Sequence, residues 1–109
     1  YMFANPTVCH QVAEAYDLPV IVLVLNNGEW GAVRRGVQSL YPDGEAARAN
    51  TVPLTALSPS PDFARTAEAS RAHAETIEDG QDLPAALARA IEVATTERRQ
   101  VLLNIRIAP

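Results

Sequence analysis

The chain has 109 residues, 48% hydrophobic and 20% charged, which fits one small globular domain, is too short for two and excludes a disordered composition. Its net charge of −4 comes from 13 acidic and 9 basic residues. Every base is Arg, scattered apart from Arg34-Arg35 and Arg98-Arg99, so no basic face points to nucleic acid.

The single cysteine, Cys9, excludes an intrachain disulfide and fits a reducing cytoplasm. No stretch approaches the roughly 20 apolar residues of a membrane helix, and the first residues lack the basic start and apolar segment of a signal peptide. Along the chain, Asn5-Pro6 opens a helix, with Asn as cap and Pro at the first position. Val8, Cys9, Val12, Ala13 and Tyr16 then recur at helical spacing as one apolar stripe, which makes Cys9 a small core residue. After Asp17-Leu18-Pro19, the run Val20 to Leu25 is apolar throughout and rich in β-branched residues. It predicts a strand covered on both faces, as in a parallel sheet between helix layers. The run ends at Asn26-Asn27-Gly28.

A helix is predicted from Glu29 to about Leu40, followed by a long loop from Tyr41 to Ser60 rich in Pro, Asp, Gly, Ser and Ala. Ser60-Pro61-Asp62 starts another helix to about Ser70, with Ser as the cap. His73 to Glu78 reads as a short strand. Asp82-Leu83-Pro84 opens a helix to about Glu97, with Leu83, Leu87, Ala90, Ile91 and Ala94 on one side, and Val101 to Ile107 closes the chain as a strand. This alternation predicts an α/β, three-layer, parallel-sheet domain. The apolar start Tyr1-Met2-Phe3, and a first helix with no strand before it, lead us to expect further sequence upstream, so that the domain is truncated on its N-terminal side.

In open α/β sheets, ligands bind at the carboxyl ends of strands, where Asn26-Asn27-Gly28-Glu29 lies. Amide oxygens suit hard cations such as Mg²⁺, Gly28 permits a sharp turn, and the following helix start can face a diphosphate. The same residues also make an ordinary turn, because Asn and Gly tolerate left-handed backbone angles.

The segment Asp17-Leu18-Pro19-Val20-Ile21-Val22-Leu23-Val24-Leu25-Asn26-Asn27-Gly28-Glu29-Trp30-Gly31-Ala32-Val33-Arg34 resembles the second half of the thiamine-diphosphate motif. In that family a Gly-Asp-Gly triplet ends one strand and an Asn-Asn pair ends the next; here the triplet would fall just before Tyr1. Asn5-Pro6-Thr7, Pro61-Asp62-Phe63-Ala64 and the final helix and strand extend the resemblance over nearly the whole chain, towards acetolactate-synthase-like enzymes. Asn-Asn-Gly-x-aromatic-Gly-Ala-apolar-Arg also resembles benzoylformate decarboxylase.

The resemblance implies the C-terminal part of a thiamine-diphosphate-binding domain. Asn27 would ligate Mg²⁺ through its side-chain oxygen and Glu29 through its backbone carbonyl. Asn26, Gly28, Trp30 and Gly31 would shape the cofactor turn, and Ala32 and Val33 would face thiazolium and substrate. It implies no catalytic side chain within this chain. The family's pyruvate decarboxylases carry a glutamate at the position of Val33, and true acetolactate synthases a Trp at that of Gly36, so both names fit imperfectly. The activating glutamate comes from another domain, usually across a subunit interface. The parent would be an oligomeric decarboxylase or carboligase of 2-oxo acids, and this chain alone would be inactive.

Other polar residues have plainer readings. His10 lies off the apolar stripe as a solvent-facing or hydrogen-bonded structural histidine, and His73 has no clustered partner. Arg34 and Arg35 read as solvated helix residues, with phosphate or substrate carboxylate as the sharper alternative. Glu75 to Asp82 reads as a solvated connection. Two rival functions stand beside the enzyme fragment: a non-catalytic half-domain or assembly module pairing with another chain, and a flavodoxin-like nucleotide-binding domain, which leaves the Asn-Asn pair unexplained.

Overall fold

The computed structural model describes residues 6–108; the expected Asn5 cap and the Tyr1-Met2-Phe3 start lie outside them. The elements are α1 (Thr7–Ala15), β1 (Ile21–Asn26), α2 (Gly31–Leu40), α3 (Glu45–Arg48), α4 (Phe63–Glu68), β2 (His73–Ile77), α5 (Leu83–Thr96) and β3 (Val101–Arg106). They fall into two compact units, residues 6–26 with 62–107 and residues 27–61, so the chain passes from one to the other between Asn26 and Asn27. Among the described residues no helix is long and apolar enough to cross a membrane.

The first unit is an α/β sandwich around a three-stranded parallel sheet in the order β1-β3-β2. Register runs Ile21 beside Val101 beside His73 at one end and Leu25 beside Ile105 beside Ile77 at the other. The last strand in sequence is therefore the central one, and Val101 to Ile105 are all buried. Successive strand side chains point to opposite faces. Val101, Leu103 and Ile105 meet Ile77 and the α5 residues Ala86, Ala90 and Ala94. Those alanines recur every fourth position, forming a low ridge that lets the helix lie close to the sheet. Leu102 turns the other way, onto Phe63 and Ala67 of α4, with Val22 and Val24 packed alongside.

Several local expectations change. β1 is not covered on both faces: it is an edge strand, Val22 and Val24 are half-buried, and Ile21, Leu23 and Leu25 are 36%, 48% and 64% exposed. The cause is strand order, because α5 packs over β3 and β2. In α1 the buried residues are His10 and Ala13, whereas Val8, Cys9, Val12 and Tyr16 are exposed, so Cys9 is not a core residue. A polar anchor selects that face. His10 Nδ1 donates to Gln100 Oε1 at 3.0 Å, and Gln100 Nε2 donates to the carbonyls of His10 (2.8 Å) and Ser70 (3.1 Å). His10 is thus the hydrogen-bonded structural histidine, buried rather than solvent-facing.

The cap of α4 is Asp62, whose carboxylate accepts from the Arg65 amide at 3.0 Å, rather than Ser60. Pro6 is the cap of α1 instead of its first residue. Ile91 points outward from α5, and Ala86 takes the buried place expected of it. Neither is Glu75 part of a solvated connection, nor His73 alone. Glu75, in β2, accepts from Arg89 Nε and Nη2 at 2.8 and 2.7 Å and lies 2.8 Å from His73 Nε2. The Arg89 hydrogen bonds, opposed by burial and helped by His73, bring the Glu75 carboxyl down from 4.5 to about 2.

The second unit holds α2, which begins two residues later than expected, and the segment read as a loop. That segment contains α3 and returns to form an antiparallel bridge between Ala56 and Glu29.

Candidate functional site

The predicted site residues divide at the strand end. Asn26 closes β1 in the first unit, 5% exposed, and its Nδ2 donates to Asn104 Oδ1 at 3.1 Å. Asn104 Nδ2 in turn donates to Thr76 Oγ1 at 3.4 Å. A polar row therefore crosses all three strands near their carboxyl ends, with Asn26 as the last residue of β1. Asn104 was absent from the predicted site, although it carried a signal: an uncharged polar residue set between Leu103 and Ile105 in the strand's apolar run.

Asn27, Gly28, Glu29, Trp30 and Gly31 form a turn in the second unit. Gly28 has a φ of 70°, the left-handed region that glycine enters without strain. The turn is held by main-chain bonds to the returning segment: Trp30 N–H donates to the Thr55 carbonyl at 2.7 Å, and Leu57 N–H to the Gly28 carbonyl at 2.9 Å. These bonds flank the Glu29–Ala56 pair. In an antiparallel ladder a residue so flanked directs its own N–H and C=O to the opposite edge. Glu29 N–H does so, donating to Asn27 Oδ1 at 3.3 Å. The Asn27 side-chain oxygen and the Glu29 carbonyl thus belong to one edge of the turn.

Trp30 is the cap residue of α2, and Gly31 begins the helix, buried. A Cβ at Gly31 would come within 3.1 Å of Asn27 Nδ2 and 3.2 Å of both Arg35 Nη1 and Glu29 Oε1, which shows how closely these side chains gather around it. Ala32 and Val33 are exposed on the first turn of α2.

Arg34 is not a solvated helix residue. Its Nη1 pairs with Glu29 Oε2 at 3.0 Å, and its Nη2 donates to the Asn50 carbonyl at 3.0 Å and to Asn50 Oδ1. Arg35 is exposed. Asn50 was hidden in the stretch read as loop, and nothing in its neighbours announced it. Among the described residues no group of three or more His, Cys, Asp or Glu gathers as a metal cluster. The oxygens the turn offers a cation are the Asn27 amide, the Glu29 carbonyl and the Glu29 carboxylate, the last already paired with Arg34.

Residues 9–105 match the family described as thiamine pyrophosphate enzyme, C-terminal TPP binding domain. No curated protein and no solved structure matches the chain significantly. The match spans most of the 109 residues and agrees with the parallel α/β sheet. The chain belongs to the family of C-terminal thiamine-diphosphate-binding domains of thiamine-diphosphate enzymes.

Proposed function

We propose that this domain anchors the diphosphate of its cofactor through Mg²⁺, within an enzyme that decarboxylates or carboligates 2-oxo acids, in the acetolactate-synthase-like or benzoylformate-decarboxylase-like branch. The observation that carries the metal reading is the Glu29–Ala56 pairing, which directs the Glu29 carbonyl to the edge where Asn27 Oδ1 lies. Both are neutral, hard oxygens. Mg²⁺ takes few protein ligands and completes its octahedron with phosphate oxygens and water, so this donor pair fits a metal that arrives with a diphosphate. An amide oxygen has two lone pairs, and the present bond to Glu29 N–H leaves Asn27 Oδ1 capacity for a cation.

Asn27 and the Glu29 carbonyl hold the metal. Gly28 makes the turn, and Trp30 and Gly31 present the start of α2 to the diphosphate, where unpaired helix amides favour an anion. When bound, thiamine diphosphate supplies the electron sink for breaking or making a bond beside a 2-oxo carbonyl. Ala32 and Val33 line the substrate side without contributing an acid or base. The group that activates the cofactor would come from another domain, usually across a subunit interface.

The exposed Ile21, Leu23 and Leu25 of β1 favour a second reading, a non-catalytic assembly module that covers this face with another chain. Assaying the full-length protein with a panel of 2-oxo acids separates the two. The enzyme reading predicts CO₂ release that requires both thiamine diphosphate and Mg²⁺ and stops with EDTA. Absence of both turnover and cofactor binding favours the module.

A further inference from the structure

Glu29 is held twice. Its main chain is fixed by the ladder to residues 55–57, and its carboxylate, only 13% exposed, is paired with Arg34. A sheltered carboxylate is costly unless paired, so Arg34 fixes which way the Glu29 side chain leaves the backbone. Arg34 is itself braced. Its planar guanidinium forks from Glu29 to Asn50, and Gln38, one turn further along α2, donates to the same Asn50 Oδ1 at 3.4 Å. Asn50 is a firm anchor, because it closes α3 with its amide bonded to the Ala47 carbonyl and sits at a φ of 51°, a conformation Asn tolerates better than most residues.

We propose that Arg34 is a positioning residue for the Glu29 carbonyl: by tying the Glu29 side chain to Asn50, it blocks the backbone rotation that would swing this carbonyl away from the Asn27 edge. The inference rests on the metal reading given above. It assigns Arg34 to the shell that orients ligands, outside the coordination sphere itself, where loss of a partner lowers metal affinity without removing a ligand.

The test uses the full-length protein and two readouts: the Mg²⁺ concentration that gives half-maximal thiamine diphosphate binding, and the melting temperature without cofactor. Arg34→Met raises the Mg²⁺ requirement about tenfold. Arg34→Lys, which keeps the charge but not the fork, raises it by less. The double variant Arg34→Met with Glu29→Gln has no unpaired carboxylate, so it recovers the cofactor-free melting temperature yet keeps the raised Mg²⁺ requirement.

A role confined to stability would make both readouts recover together, and that result overturns the proposal. So does an Arg34→Met protein that titrates like the wild type while the wild type binds. Should Arg34→Met fail to fold, Arg34→Lys and Asn50→Ala carry the comparison, and an unaltered Mg²⁺ requirement in both overturns the proposal. A wild type that binds no cofactor at any Mg²⁺ concentration overturns the metal reading and the positioning role with it.

Discussion

Gly28 and Gly31 bracket Glu29 and depend on different physics. At Gly28 the φ is 70° and a Cβ would meet nothing within 4 Å, so Gly28→Ala costs only backbone strain, about 1–2 kcal/mol. At Gly31 the backbone is ordinary helix, but a Cβ would press on Asn27, Glu29 and Arg35. Those flexible side chains yield, and two of them are the proposed metal-site residues. Gly28→Ala is therefore expected to lower the melting temperature, whereas Gly31→Ala leaves it nearly unchanged and weakens cofactor binding. Thermal melts and titrations on the same two proteins check both halves. Gly28 was legible in the sequence as a turn glycine. The crowding at Gly31 was not, because it depends on where three other side chains settle.

Among the elements, β1 and β3 show what an apolar run can and cannot reveal. Both were recognisable as strands, and the alternation of strands with helices was enough for a parallel α/β sheet. Nothing in either run states its neighbours, however, and the run that looked more buried, Val20 to Leu25, is the edge strand. Burial follows from strand order, which long-range packing decides. Leu102→Ala, in the central strand, is expected to cost about 3 kcal/mol, and Leu23→Ala, half-exposed on β1, about 1 kcal/mol or less; denaturant melts of the two variants test the order.

The tie between β2 and α5 was equally invisible, since Glu75 and Arg89 are distant in sequence. Its contribution has a definite sign. A carboxyl lowered from 4.5 to about 2 by Arg89 stabilises the fold above the ordinary carboxylate range, and that stability is lost as pH falls from about 4.5 toward 2. Glu75→Gln is expected to lower the melting temperature by a few degrees at neutral pH and to flatten the loss of stability across that acid range. Urea melts at a series of pH values measure it; a slope equal to that of the wild type rules out the pairing as its source.

At the scale of the whole molecule, the sheet unit and the unit carrying the turn meet in sequence between Asn26 and Asn27. The first asparagine serves the sheet through Asn104, and the second serves the turn through Glu29. One motif therefore does two jobs, and only the second involves the proposed metal. The family match concerns thiamine diphosphate binding, and the donor pair proposed for Mg²⁺, the Asn27 amide and the Glu29 carbonyl, is weak without a phosphate beside it. Mg²⁺ and cofactor are accordingly expected to bind the full-length protein together, each poorly alone. The most direct measurement is calorimetric titration of thiamine diphosphate into that protein, with and without Mg²⁺, for the wild type and Asn27→Ala. Mg²⁺-dependent binding is expected, weakened by more than roughly 100-fold in Asn27→Ala, since even partners outside a coordination shell cost about 10–100-fold. Binding by Asn27→Ala that is as tight and as Mg²⁺-dependent as the wild type's would contradict that expectation and leave Asn27 as a residue of an ordinary turn.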